Sequence, residues 1–217
     1  MLYSDVVIGD NVGIIEYVKS TYKKQATLIA YGGDHVHKVD DEALETDYPF
    51  LLTEYAVSVC RIEPENNIHI ILEAFKSSSL PLVVVGNWED SDYGKHLKSE
   101  YKRYKNIHLL DPIYDSNRVN WIRSHADIYI HGHSAGGTNP SLVEAMCLGL
   151  PILAYDCIYN RSTTENQCLY WKTAEDISLL LEKEHNELAY VGKLMQEKGM
   201  SLYRWRTIAE QYNKLWK

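Results

Sequence analysis

His131 to Asp156, HGHSAGGTNPSLVEAMCLGLPILAYD, reads as a strand end, a glycine-bearing turn, a helix and a second buried strand. Asn139 and Pro140 open the helix, and Gly149 with Pro151 closes it. Such a start directs backbone N–H groups and the positive end of a helix dipole at one spot, which suits an anion such as a diphosphate. Glu144 falls one turn inside, where a carboxylate can accept hydrogen bonds from sugar hydroxyls. A second reading of the same residues stays open. Ser141 to Glu144, SLVE, fits a capping box in which Glu144 only satisfies the helix start, and Gly136 with Gly137 fits a plain turn.

Outward from this stretch, short apolar strands alternate with amphipathic helices. Strands are expected at 5–8, 27–30, 55–61, 82–85, 107–110, 128–130, 152–155 and 168–170. Helices are expected at 11–22 behind Asn11, after Asn67, at 92–105 and 116–124, and as three closing helices at 174–184, 186–198 and 201–216. Ile68, Ile71, Leu72 and Phe75 follow the i, i+3, i+4, i+7 spacing of one buried helix face. Residues 35–54 and 156–167 carry no period and read as loops. Continuous apolar strands separated by helices predict an α/β fold, a Rossmann-like parallel sheet with helices on both faces. Ligands of such sheets sit beyond the strand carboxyl ends, at the topological switch point. No GxGxxG and no Walker A sequence occurs, which disfavours a dinucleotide dehydrogenase and a P-loop ATPase.

With 217 residues and a net charge of −8, the chain fits one large domain or one and a half small ones and argues against a nucleic-acid binder. Locally the balance reverses at 95–105 and again near the end, with Arg204, Arg206, Lys214 and Lys217. These clusters read as solvated helix faces, with peripheral contact to phospholipid as the sharper alternative. Cys60, Cys147, Cys157 and Cys168 show no CxxC spacing and are expected as free thiols in a reducing compartment. The start carries no basic lead and no apolar run approaches a membrane span, so a cytoplasmic protein is expected.

Other residues have candidate chemistry. Arg61 ends a strand and precedes IEPENN, placing a cation at a strand carboxyl end where a diphosphate can bind. The alternative is a surface arginine paired with Glu63 or Glu65. His35/His37 and His131/His133 have HxH spacing, half a metal site at best, and no metal is expected. His133 is read instead as a donor to a phosphate or sugar oxygen, or else as a hydrogen-bonded loop histidine. No GxSxG occurs.

Four landmarks, YGGD at 31–34, VCRIEPENNIHIILEAF at 59–75, GGTNPSLVEAMCLGLPILAYD at 136–156 and YRWRTIAEQYNKLW at 203–216, together carry a resemblance. The chain resembles the C-terminal, donor-binding half of a family 4 (group 1) glycosyltransferase of the GT-B fold, and within it the bacterial rhamnosyltransferase-like branch of polysaccharide assembly. The resemblance implies a retaining, metal-independent transferase without a cofactor, whose donor is a nucleotide-sugar, dTDP- or UDP-linked. It makes Arg61 the donor-diphosphate arginine and Glu144 the second acid of the E-x7-E motif, holding the ribose. It lays Gly136, Gly137, Thr138, Asn139, Ser141 and Leu142 against the diphosphate and donor sugar. Gly33 joins the donor-binding residues from the YGGD turn, the hinge between two domains. Residues 1–34 would then be the tail of an acceptor domain plus hinge, 35–200 the donor domain, and 201–217 the helix that crosses back, with Trp205, Ile208, Tyr212, Leu215 and Trp216 on one face.

Two positions depart from the family pattern. The first acid of E-x7-E falls on Gly136, for which His133, Thr138 or a backbone N–H would substitute, and the lysine after the arginine falls on Asn66. A shifted donor-sugar preference is expected. The acceptor, a sugar or glycolipid, would be bound by a missing N-terminal domain or by a partner subunit, leaving this chain incomplete and inactive alone. Two rivals follow: a donor-binding subunit of a split glycosyltransferase, possessing no activity until docked, and a nucleotide-sugar epimerase of GT-B fold.

Overall fold

The computed structural model describes residues 4–51 and 53–216. Its centre is a six-stranded parallel sheet of β3 (Ala56–Val59), β4 (Leu82–Val85), β5 (Ile107–Leu110), β6 (Ile128–His131), β7 (Ile152–Tyr155) and β8 (Leu169–Trp171), in the order β5-β4-β3-β6-β7-β8. Before it, β1 (Ile8–Gly9), α1 (Val12–Tyr22) and β2 (Thr27–Leu28) form a separate two-stranded parallel unit. The chain enters the large sheet at its middle, builds outward to β5, and returns to build the other half. Strands β3 and β6 therefore flank the switch point.

Alternate residues along each strand feed two cores, which explains why the strands are apolar throughout. Val57, Val83, Val85, Tyr129, Ile152 and Ala154 face one core. Ala56, Leu82, Val84, Ile128, Ile130 and Leu153 face the other. Helices α5 (Ser116–Ser124), α6 (Pro140–Leu148) and α9 (His185–Leu202) cover the first face with Trp121, Ile122, Val143, Met146 and Met195. Helices α3 (Ile68–Phe75), α4 (Asp92–Tyr101) and α8 (Ala174–Leu181) cover the second with Ile71, Leu72, Phe75, Leu97 and Ile177. Burial of a side chain of this size contributes roughly 1.5–3 kcal/mol, so the expected α3 stripe, whose four residues are all fully buried, anchors that layer.

The α/β parallel sheet matches expectation; the first strand, expected at 5–8, is found at Ile8–Gly9, and three longer segments also differ. Residues 35–54 hold the short helix α2 (Glu42–Asp47) and a 3-10 turn at Pro49–Leu51, because isolated Leu44 and Leu51 dip into the first core. The loop expected at 156–167 contains α7 (Ile158–Thr163). Its signal is tertiary: Asn160 Nδ2 donates to the carbonyls of His133 and Tyr155, both at 2.8 Å, and Asn11 Nδ2 donates to the Tyr159 carbonyl at 3.1 Å. The last helices are divided at Tyr203–Arg204, so α9 runs to Leu202 and α10 spans Trp205–Lys214. Tyr203 is fixed there by a 2.8 Å bond from its hydroxyl to the Thr163 carbonyl. On α10, Ile208 is buried while Trp205 and Tyr212 are exposed, as is Trp216 just beyond the helix.

All four cysteines are free thiols; Cys147 and Cys168 are buried, and Cys60 and Cys157 are partly covered. Among the described residues, no helix is long and apolar enough to cross a membrane.

Candidate functional site

Beyond the carboxyl ends of β3 and β4 lies a cleft of about 460 Å³. Arg61, Glu63, Asn87, Asp90 and Tyr114 line it, together with Ser141 in the first turn of α6. Glu144 follows Ser141 by three residues, which places both on one helix face. The basic end of β3 and the N-terminus of α6 thus share one hollow at the switch point.

Arg61 is 71% exposed and pairs with Glu63 at 3.2 Å and Glu65 at 3.4 Å. The surface pairing weighed from sequence is present, and the guanidinium still borders the cleft. Exposed pairs of this kind contribute about 0–1 kcal/mol, so an anion can take over the arginine at little cost.

Asn66, which stands where the family lysine was expected, is buried and carries no charge to the cleft. Its Nδ2 donates to the Arg61 carbonyl at 2.8 Å, and its Oδ1 lies 2.9 Å from His133 Nδ1. A carbonyl only accepts, so the amide nitrogen must face Arg61 and the amide oxygen must face the imidazole. His133 Nδ1 therefore carries the hydrogen. Burial holds the His133 pKa below the ordinary histidine value, and in the neutral ring Nε2 is an acceptor. The alternative weighed from sequence, a hydrogen-bonded loop histidine, is present: Nδ1 is held by Asn66, a backbone hydrogen bond with Ala135 also acts on the ring, and the second ring nitrogen is Nε2. That nitrogen lies 3.5 Å from where a side chain on Gly136 would begin, and Gly136 itself has φ +91°. Neighbouring His131 is fully enclosed, with its pKa pushed down to about 3 by burial and then by His133, and its Nε2 has no partner among the described residues.

The GGTNPSL run does not present one surface to the cleft. Gly137 backs onto the Asp10 carboxylate, leaving no room for a side chain. Thr138 donates its hydroxyl to the Asp10 carbonyl at 2.5 Å and accepts from Asn11 Nδ2 at 3.4 Å. Burial pushes the Asp10 pKa up, opposed by backbone hydrogen bonds from Asp10 itself and from Thr138. Gly137 and Thr138 thus bind the N-terminal segment and not the cleft, and Thr138 is spent as a substitute for the missing acid. Asn139 is the N-cap of α6, its side chain accepting from Ser141 N–H at 2.9 Å. Leu142 is fully buried in the first core, so its side chain cannot touch a ligand. With the Ser141 and Thr138 amides occupied, α6 offers the cleft its dipole and the Ser141 side.

Glu144 forms no capping box. Its Oε2 lies 2.8 Å from Arg123 Nη1, and its Oε1 lies 3.1 Å from His35 Nε2. The Arg123 side chain is 5% exposed and that of Glu144 15%. Arg123 comes from α5, where a single cation between Ile122 and Ser124 carries no sequence signal, and the only pattern around His35 is one half of an HxH pair. Gly33 does not reach the cleft either; it is buried against α6, where a Cβ would stand 2.6 Å from the Val143 carbonyl oxygen. Its N–H donates to the Tyr203 carbonyl at 2.7 Å. Its role is to bring the turn against the backbone of the Glu144 helix.

The family model described as Glycosyl transferases group 1 matches residues 51–167, more than half of the chain and the whole span from β3 to α7. This chain belongs to the group 1 glycosyl transferases. Solved structures agree in fold. Sucrose-phosphate synthase from Thermosynechococcus elongatus superposes with a TM-score of 0.80 at 19% identity, over 98% of this chain and 58% of that one. Anabaena HepE in complex with UDP-glucose gives 0.85 at 15% identity, over 98% and 63%. The pneumococcal O-GlcNAc transferase GtfA in complex with UDP and GlcNAc gives 0.70 at 16% identity, over 97% and 44%. This group 1 chain spans about three fifths of the length of the first two. Its sheet and helices are those of one half of a GT-B glycosyltransferase. Among curated proteins, none matches the chain in sequence.

Proposed function

We propose that this chain is the donor-binding half of a retaining, metal-independent glycosyltransferase using a UDP- or dTDP-linked sugar. The observation that carries the proposal is the shared hollow at the switch point. Arg61 and the first turn of α6 border one cleft, and one turn further in, Glu144 is held by a buried guanidinium. A nucleoside diphosphate fits this order of groups, with the pyrophosphate at Arg61 and the ribose hydroxyls on Glu144.

In this reading Arg61 and the α6 dipole stabilise the negative charge that grows on the departing diphosphate. One preorganised donor of this kind lowers a barrier by about 3 kcal/mol. His133 Nε2 stands in for the acid missing at Gly136 by accepting from a donor-sugar hydroxyl. A neutral acceptor there grips a hydroxyl less strongly than a carboxylate, which supports a changed sugar preference such as that of a rhamnosyltransferase-like branch. The acceptor, a sugar or glycolipid of polysaccharide assembly, would be bound by an acceptor half in the same polypeptide or in a partner chain. A cytoplasmic site at the inner membrane face fits such an acceptor.

Calorimetry with UDP and dTDP tests this. Arg61→Ala and Glu144→Ala each weaken binding of the diphosphate that the wild-type chain takes up. Wild-type affinity in both variants removes the assignment.

A further inference from the structure

The YGGD turn and the residue after it join the Glu144 helix to the last helix. A Cβ on Gly32 would stand 2.5 Å from the Trp205 indole, so the turn lies flat under that ring. Asp34 Oδ1 accepts from the Trp205 backbone N–H at 2.8 Å, holding the start of α10. Trp205 Nε1 donates to His35 Nδ1 at 3.1 Å, and His35 Nε2 reaches Glu144 Oε1 at 3.1 Å.

Hydrogen positions in this chain follow from valence. An indole N–H only donates, so His35 Nδ1 must accept. The hydrogen of a neutral imidazole then sits on Nε2 and is donated to Glu144. The order is Trp205 to His35 to Glu144, with no alternative direction while the ring stays neutral. Glu144 thus has one oxygen held by Arg123 and the other by His35. A carboxylate has about four acceptor positions, so one on each oxygen stays open for a hydroxyl.

We propose that His35 and Trp205 are positioning residues for Glu144, and that they link ligand uptake at Glu144 to the seating of α10. A ligand that uses the open positions needs the carboxylate in one rotation about its C–C bond. Arg123 fixes one oxygen, and the Trp205–His35 pair fixes the other. By reciprocity of coupling, a ligand that favours this rotation also favours α10 seated on the turn. The inference rests on the reading of Glu144 as the ribose carboxylate.

The test uses the full chain, UDP as probe, and Glu144→Ala, His35→Ala, His35→Gln and Trp205→Phe. Trp205→Phe keeps an aromatic side chain at this position and removes the N–H together with the five-membered ring. His35→Gln can accept and donate at once, so it restores the relay. Loss of one net hydrogen bond predicts UDP binding about threefold to tenfold weaker in His35→Ala and Trp205→Phe, with His35→Gln within about twofold of wild type. UDP should also slow amide hydrogen exchange across 205–214 in the wild type and not in Trp205→Phe. If Glu144→Ala loses UDP while His35→Ala and Trp205→Phe bind like wild type, the relay is overturned and the ribose reading stands. If Glu144→Ala binds like wild type, both fall. A His35→Gln variant as weak as His35→Ala also overturns the relay.

Discussion

Replacing Arg123 by leucine removes a buried guanidinium and leaves its carboxylate behind. Nη1 lies 2.8 Å from Glu144 Oε2, and the two side chains are 5% and 15% exposed. Breaking such a pair from one side costs about 3–5 kcal/mol, because the remaining charge has lost its partner in a poorly hydrated place. Glu144 keeps some exposure and the His35 contact at 3.1 Å, so the lower end, about 3 kcal/mol, is expected. For a chain of this size that is a fall of roughly 6–12 °C in the thermal midpoint, followed by circular dichroism at 222 nm. Glu144→Gln costs less, since its amide oxygen still accepts from Arg123. The combined Arg123→Leu, Glu144→Gln variant recovers at least half of the single Arg123→Leu loss, because no uncompensated charge remains. Contacting pairs show non-additivity of about 0.5–3 kcal/mol. A double variant whose loss equals the sum of the single losses would refute the buried pair.

Further outcomes follow from other parts of the structure. Arg61→Ala should change stability by less than about 1 kcal/mol in urea unfolding, because its two partners are surface acids, while nucleotide affinity falls; a large stability loss would give Arg61 a structural role. Glu144→Ala should weaken UDP more than dTDP, since the ribose presents two hydroxyls and the deoxyribose one; equal losses would remove the ribose contact. His131 has a folded pKa of about 3 against an ordinary 6.5. Between those values the unfolded chain binds a proton that the folded chain does not. Its contribution is therefore complete above about pH 6.5 and declines by up to about 1.4 kcal/mol per pH unit below it. Urea unfolding at pH 7 and pH 5 should show a steeper loss in wild type than in His131→Gln, and equal slopes would contradict it. Gly33→Ala should both destabilise the chain and displace α6, because the Val143 carbonyl is backbone and cannot rotate away.

The alternation of strands and helices was readable because both faces of the sheet are covered, which makes each strand an unbroken apolar run. The α3 stripe was readable for the same reason, a period tied to one buried face. The helix α7 was not, since it is held by tertiary bonds, from its own Asn160 to the His133 and Tyr155 carbonyls and from Asn11 to the Tyr159 carbonyl, which leave no local pattern. In the site, the contiguous motif 136–142 read as a single ligand surface. A helix turns about 100° per residue, so Leu142 and Val143 enter the core while Ser141 and Glu144 stay on the other face. Thr138 was misplaced because its partner, Asp10, lies in a separate unit of the chain. Arg123 and His35 acquire meaning only when α5 and the YGGD turn are brought against α6, and neither carries a spacing that predicts this.

A crystal structure of the chain with UDP tests the donor site at the level of atoms. The expected map has the diphosphate between Arg61 and the first turn of α6, with both ribose hydroxyls within hydrogen-bond distance of Glu144. UDP bound away from these residues, or a Glu144 carboxylate still committed wholly to Arg123 and His35 with the ribose elsewhere, would contradict it.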